Sequence, residues 1–600
     1  MFFLRNIARL IVSGLAAVSI LTGCAVAPKK PDVIRQGDYS YTSEYLSWLI
    51  RKEMKRHDVT GLSIALVDDQ KVIWAEGFGY ADEANKVAAT PETLYRVGSI
   101  SKLFTATAAM QLVEQGKLDI DKPLQTYLPE FSVKSRFPDA GPVTPRTLMT
   151  HHSGLPSDLL KGMWTKNPEP FTNVVNRIRD EYAPYPPNFV FSYSNLGVSL
   201  LGQAVERVAG RPYVSHMDEA LLQPLGMSRS SFSKRLDMWP FLAKGYRKGD
   251  EIKEPPLRDV PAGGLYSNVL DLSRFMEMVF AGGKAGEQRI LKEETVAEML
   301  RPQNGGVPLD HDLRIGLGWI LSGTEIENAG QVAQHDGATL LYRSQLIILP
   351  EQKLGVAVLS NSATAGPVVH KVATEALKLA LETKTGIRQP ERNKPAERDA
   401  GLSPEERQGW LGAYATPFGV ARVTEKGDAL RAELFGKTFN LVPRADGRLG
   451  LRYRLLGLIP VSLDELDYVG ISGASVSGRH ILLAANTAGK SMLVGEKIEP
   501  VPVPEKWQGR VGAYEIANPG DDTILVEDIR LRYEEGLLRV DYALPLFFPG
   551  MLSVTLMPIS DTEAVIRGLG RSMGETIRIV TVDGEERLFY SGYELRKKEK

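Results

Sequence analysis

The feature that narrows the fold most is a repeat in the last third of the chain. Gln408-Gly-Trp-Leu-Gly-Ala-Tyr414 returns as Gln508-Gly-Arg-Val-Gly-Ala-Tyr514, 100 residues later. Around both copies lie short alternating apolar runs separated by Gly, Asp and Asn, the pattern of half-buried strands. Gly495-Glu-Lys-Ile498 and Gly592-Tyr-Glu-Leu595 give a looser second correspondence, and Pro500-Val-Pro-Val-Pro504 separates the copies. A duplicated β-rich unit must hide its sheet edges, and closure into a barrel does so. The repeat therefore predicts two β-barrel-like domains, over 406–499 and 506–600. One larger β-domain with a chance echo is the alternative.

What precedes the repeat has another texture. The charged, Pro-bearing stretch from Arg388 to Asp399 reads as a linker, spanning 386–405. Ahead of it, residues 43–385 alternate helix and strand signals. A helix is expected over Tyr45–Arg56, then a hairpin from Leu62–Val67 and Val72–Ala75. A helix over 99–115 ends at Gly116, and further helices are expected over 173–182, 195–209, 269–281 and 290–300. A second hairpin, Leu341–Leu349 with Leu354–Leu359, is followed by a helix over 366–384. That order implies an α/β domain: a largely antiparallel sheet flanked by helices, plus a mostly helical subdomain. Six hundred residues are too many for one core in any case.

At the N-terminus, Arg5 and Arg9 precede an apolar run, Leu10 to Leu21, that is too short for a membrane span and ends in Thr22-Gly-Cys24. Residues 1–23 read as a secretory signal peptide and 24–42 as a polar tether. The ending Leu21-Thr-Gly-Cys24 resembles a bacterial lipobox, which implies that Cys24 is acylated and holds the mature chain on a lipid bilayer. Ala25 after the cysteine, by the same resemblance, implies the outer membrane, facing the periplasm. An ordinary signal peptide with an incidental cysteine, or a signal anchor, is the plainer alternative. Cys24 is the only cysteine, so the chain forms no internal disulfide. The net charge of −1 and the lack of any Lys/Arg-rich block give no footprint for nucleic acid. The sequence sets no oligomeric state.

The chemistry centres on Ser99-Ile-Ser-Lys102 at the start of an expected helix. A serine hydroxyl needs a base, and a lysine three residues on shares its helix face. Helix-start N–H groups lie where a developing oxyanion would be stabilised. To act as a base, Lys102 must lose its proton far below the usual amine range, which burial or a nearby cation achieves. One such motif is weak evidence, but it has company in order. Tyr193-Ser-Asn195 opens a later helix, and His335-Asp-Gly337 precedes the second hairpin. With Thr147–Leu155, Gln223–Met227 and Pro261–Ser267, residues 43–385 resemble the serine β-lactamase/penicillin-binding-protein superfamily. The resemblance is closest to its class C-like branch, which includes D-aminopeptidase and esterase members with C-terminal β-barrels. It implies Ser99 as nucleophile, Lys102 and Tyr193 sharing proton transfer, and Asn195 binding the substrate amide or holding the lysine. It also places His335 and Gly337 in the third motif and makes the N–H groups of Ser99 and Ala338 the oxyanion hole.

Several competing motifs have bland readings. Ser231-Phe-Ser-Lys234 reads as a surface turn, Tyr266-Ser-Asn268 as structural, and His152-Ser-Gly154 as a loop. Lys384-Thr-Gly386 reads as a helix terminus, and Gly570-Arg-Ser-Met-Gly574 as a hairpin loop rather than a nucleophile elbow. His151 and His152 are read as structural, and no metal-ligand spacing accompanies them.

The expected activity is acyl-enzyme hydrolysis of an ester or a D-amino-acid amide or peptide, with no cofactor and no metal. The alternatives are a β-lactamase or penicillin-binding D,D-peptidase, and a non-catalytic envelope binding or sensor protein. His335 bears on this choice. Penicillin-recognising relatives usually carry a lysine there, whereas a histidine of ordinary pKa is mostly neutral at pH 7.5 and would gain charge towards pH 6.

Overall fold

The computed structural model describes residues 26–599 apart from 418, 435, 456–458, 462–465 and 487, so the leader and Cys24 lie outside the described residues. Among the described residues no helix is long and apolar enough to cross a membrane.

The first helix, α1 (Ser40–Arg56), starts inside the expected tether. What precedes it is packed down: the Tyr39 hydroxyl donates to Asp68 at 2.7 Å, and Lys30 pairs with Glu382 at 2.6 Å. Strands β1 (Gly61–Asp68), β2 (Lys71–Asp82), β3 (Val87–Ala88), β4 (Ala333–Ala338), β5 (Arg343–Leu349) and β6 (Leu354–Ser360) form one antiparallel sheet in the order β4-β5-β6-β1-β2-β3. Alternation along β1 decides what covers each face. Leu62, Ile64 and Leu66 join a core with α1 and the long closing helix, while Ala65 and Val67 join the larger core on the opposite side.

The helices named here are α2 (Ser101–Glu114), α3 (Asn195–Ala209), α4 (Val269–Phe280) and the closing α5 (Gly366–Thr385). Helix α2 is buried at every position from Ser101 to Met110, as an apolar helix without a polar face must be. The helix expected over 173–182 breaks into short turns, Phe171–Asn173, Val174–Arg177 and Ile178–Asp180. Two Asn and several β-branched residues give that segment little helical preference.

Beyond the linker stand two closed antiparallel barrels of eight strands. In the first, Gly412–Thr416 pairs with Ser491–Ile498, and Lys437–Pro443 with Leu449–Leu455, which completes the ring. The second closes through Gly512–Ile516 and Tyr593–Lys597. The repeat has a physical basis. The Tyr414 hydroxyl donates to the Trp410 carbonyl at 2.9 Å and Tyr514 to that of Arg510 at 2.6 Å. Lys497 Nζ donates to Gly409 O at 3.3 Å and Lys597 Nζ to Gly509 O at 3.0 Å. Each copy thus ties its entry turn to its own first and last strands. Tyr414 lies opposite Lys497 and Tyr514 opposite Lys597, so the offset of 100 holds at both ends. The looser match of 495–498 with 592–595 is three residues out of register.

The second barrel is built into the α/β domain. Tyr185, Val190 and Leu309 share a core with its Leu569, Met573 and Ile577. It also clamps residues 157–162: Ser157 N–H donates to Glu575 at 2.9 Å, Ser572 N–H to the Ser157 hydroxyl at 2.8 Å, and Gly162 N–H to Asp522 at 2.9 Å.

Candidate active site

Ser99 sits in a single 3-10 turn, Gly98–Ile100, that runs straight into α2. Gly98 has φ +55°, and a Cβ there would come 2.7 Å from the Ala338 nitrogen; a Cβ on Gly337 would come 1.9 Å from the Val97 carbonyl. Only glycines let the end of β4 lie this close to the turn, and the result is the Ala338 amide against Gly98, next to Ser99 in the chain. Ser101 locks the turn, donating to Gly98 O at 2.6 Å and accepting from Leu265 N–H at 3.0 Å.

Lys102 is 2 % exposed, yet its amine has three partners: Ser99 Oγ at 3.0 Å, Asn195 Oδ1 at 2.7 Å and the Ala262 carbonyl at 2.7 Å. The last two can only accept. A neutral amine that donates its two hydrogens to them keeps its lone pair for the Ser99 hydroxyl, the arrangement a general base needs. Burial, and next the Arg571 guanidinium, bring this amine down to about 7, against the opposing pull of Asp158, Asp336 and Asp259.

Tyr193 is buried above the amine, its ring centre 4.9 Å from Lys102 Nζ, and its hydroxyl hydrogen-bonds Ser99. Burial and then Asp336 push the phenol above its usual range, so it stays protonated and can pass a proton on. Asn195 heads α3, whose N-cap is Ser194, and its amide bridges Lys102 and Asp158: the nitrogen donates to Asp158 Oδ1 at 2.7 Å. His335 is 1 % exposed on β4, its ring centre 6.2 Å from that of Tyr193. Its Nδ1–H donates to the Asp336 carbonyl at 2.7 Å, leaving Nε2 as a buried acceptor without a partner among the described residues. Burial drives His335 down to about 4, more strongly than Asp336 raises it, which opposes the gain of charge expected towards pH 6.

Ser99, Lys102, Tyr193, Asn195, His335, Gly337 and Ala338 are therefore brought together. Four further contributors are not named as site residues by the sequence, although three of them lie in stretches it marks. The Ala262 carbonyl comes from the Pro-Ala-Gly-Gly turn of the resembling stretch Pro261–Ser267, which gives no sign that a backbone carbonyl there meets Lys102. His151, expected to be structural, stacks on Tyr193 at 4.1 Å while its Nδ1 accepts from Ser194 N–H at 3.1 Å. Asp158 lies in an irregular loop. Arg571 arrives from the second barrel, its Nη2 3.0 Å from Asp158 Oδ2 and its guanidinium carbon 5.2 Å from the Tyr193 ring centre. The Gly570–Gly574 stretch is indeed a loop between two strands, but it reaches the active site.

The competing motifs fall elsewhere. Ser231 is fully buried and bridged to Tyr266 instead of lying in a surface turn, and Lys234 is exposed over Trp239. The apolar Phe232 between them drags the segment inward. Asn268 caps α4, His152 pairs with Asp310 at 2.7 Å, and Gly386 ends α5 at φ +79°.

Fold and site together have the form expected of the β-lactamase family. A family model described as Beta-lactamase matches residues 46–381, and the chain belongs to that family. It is 24 % identical over 326 residues to Protein flp of Staphylococcus aureus (strain MRSA252), covering 53 % of this chain and 63 % of that protein. It is 29 % identical over 222 residues to the putative penicillin-binding protein PbpX of Bacillus subtilis (strain 168), covering 36 % of this chain and 54 % of that one. The chain thus spans less than two thirds of the length of these relatives. Among solved structures, the octameric penicillin-binding protein homologue from Pyrococcus abyssi shares the fold with a TM-score of 0.50 at 24 % identity, covering 85 % of this chain and 99 % of its own. That coverage extends past the family match into the barrels. SurE, solved with D-Leu, gives a TM-score of 0.52 at 24 % identity over 76 % of this chain and 99 % of its own.

Proposed function

We propose that this protein hydrolyses an ester or a D-amino-acid amide or peptide through an acyl-enzyme on Ser99. The observation that carries the reading is the Lys102 amine, with two acceptor-only partners for its hydrogens and Ser99 Oγ at 3.0 Å for its lone pair. With its pKa near 7, about half the amine is neutral at pH 7, roughly a thousandfold more than an ordinary lysine offers. Ser99 Oγ attacks the carbonyl carbon while its proton passes to Lys102. The N–H groups of Ser99 and Ala338 take the oxyanion, and Tyr193 hands a proton to the leaving group. Water then enters along the reverse path and frees the acid.

The substrate preference rests on His335. A neutral imidazole places no fixed charge where an anionic lactam would need one, which favours esters and D-aminoacyl amides over β-lactams. D-Leu is bound by SurE, and that is a reason to include D-amino-acid substrates. Membrane attachment through acylated Cys24, at the outer membrane and facing the periplasm, belongs to the same proposal. A parallel screen with a chromogenic ester, D-alanine anilide and a chromogenic cephalosporin tests it. Cephalosporin turnover exceeding that of the other two would restore the lactamase reading, and no turnover of any would favour the binding-protein reading.

A further inference from the structure

Of the charged groups around Lys102 that lie outside the three motifs, Arg571 and Asp158 are linked to it by a chain of hydrogen bonds. Arg571 Nη2 donates to Asp158 Oδ2 at 3.0 Å, Asn195 Nδ2 donates to Asp158 Oδ1 at 2.7 Å, and Lys102 Nζ donates to Asn195 Oδ1 at 2.7 Å. Every link uses a different atom. The Asn195 amide can therefore face only one way, oxygen to Lys102 and nitrogen to the carboxylate. Both ends of the Arg571–Asp158 pair are held from the barrel: Ser572 N–H bonds Ser157, and the Ser591 hydroxyl donates to the Asp158 carbonyl at 2.9 Å.

We propose that Arg571 is a positioning residue for the acylation base, fixing the Lys102 amine on Ser99 through Asp158 and Asn195, so that the second barrel completes the proton-transfer site. The proposal rests on the serine-hydrolase reading above. The groups facing Lys102 are Asp158 from the clamped loop, Asp336 and His335 from β4, Asp259 from the turn before Ala262, His151, Tyr193, and Arg571 from the barrel. Arg571 favours the neutral amine and Asp158 the charged one, so removing either should leave the other unopposed. A pair lying too far from the amine to act on it would leave its titration in place.

The test uses the full chain and a fluorophosphonate, whose phosphorus takes Ser99 Oγ while fluoride leaves and the proton goes to the base. The labelling rate is followed by intact mass from pH 5.5 to 9. The native rate should rise with a midpoint near pH 7. Arg571→Met should move the midpoint up by about one unit, roughly tenfold slower labelling at pH 6, and Asp158→Asn should move it down. Arg571→Lys should keep the midpoint with a lower plateau. Arg571→Gln, which keeps a donor to Asp158 but loses the charge, should shift the midpoint as Met does yet hold a higher plateau than Met, and serves if Arg571→Met fails to fold. Midpoints that stay in place, or move the same way in the Arg571 and Asp158 variants, overturn the proposal alone. A native chain never labelled on Ser99 overturns the hydrolase reading and the proposal with it.

Discussion

Replacing His335 by lysine tests the residue on which the substrate preference rests. In the native protein the imidazole is buried, its Nδ1–H is committed to the Asp336 carbonyl, and its pKa of about 4 keeps it neutral throughout the range in which Lys102 titrates. The ratio of kcat/KM for an anionic cephalosporin to that for a neutral ester should therefore change less than about twofold between pH 8 and pH 6. Changes in Lys102 affect both substrates alike and cancel in the ratio. His335→Lys adds a cation beside Asp336, and a charge-assisted contact to a substrate carboxylate is worth about 1.5–3 kcal/mol. That is roughly ten- to a hundredfold in the ratio. Burial opposes the new charge, so the gain should be larger at pH 6 than at pH 8. The assay is steady-state hydrolysis of the two chromogenic substrates by both proteins at both pH values. A native ratio that swings tenfold towards the cephalosporin at pH 6 would show that His335 does charge there, and the reasoning would fail.

Ser99→Ala should lower turnover by about 10⁴–10⁶, while Ser231→Ala and Ser572→Ala should keep it within about threefold; a collapse in the Ser572 variant would mean the nucleophile is misassigned. Lys102 carries a stability consequence with a definite sign. Its folded pKa lies below the ordinary amine value of 10.5, so between about 7 and 10.5 the unfolded chain binds more protons and stability rises with pH, by about 1.4 kcal/mol per unit. Lys102→Met removes that term but strands Asn195 Oδ1 and the Ala262 carbonyl, so its thermal midpoint relative to the native protein should be best at pH 7 and fall towards pH 9.5. A difference independent of pH would contradict the buried neutral amine. A chain truncated after Thr385 exposes Tyr185, Val190 and Leu309 and loses the clamp on residues 157–162; it should label Ser99 at least tenfold more slowly at pH 7, and native-rate labelling would reduce the barrels to spacers. Mass spectrometry of membrane-extracted protein should find acylated Cys24 at the mature N-terminus, and an unmodified terminus elsewhere on soluble protein would reject the anchor.

How much the sequence reveals depends on how local each cause is. Helix α3 is legible to the residue, because Ser194 caps it and Gly210 stops it. The barrels are legible as a repeat, because each copy closes on itself through its own tyrosine and lysine. Ser99, Lys102, Tyr193 and Asn195 are legible as motifs, since a helix start imposes fixed spacings on reacting groups. Arg571 and Asp158 are not: they lie 413 residues apart in an inter-strand loop and an irregular segment, and only the docking of the barrel unites them. The burial that depresses His335 is equally invisible, because it comes from the packing of β4 against the turn before Ser99 and not from any neighbour in sequence.

The most direct test of the account is to trap the acyl group itself. The protein is mixed with an activated ester, quenched in acid within the first turnover and mapped by peptide mass spectrometry. One acyl group should be found on the peptide bearing Ser99, rising with a burst of the leaving group and absent from the Ser99→Ala variant. Ester turnover with no burst and no acylated Ser99, or with the acyl group on another residue, would contradict it.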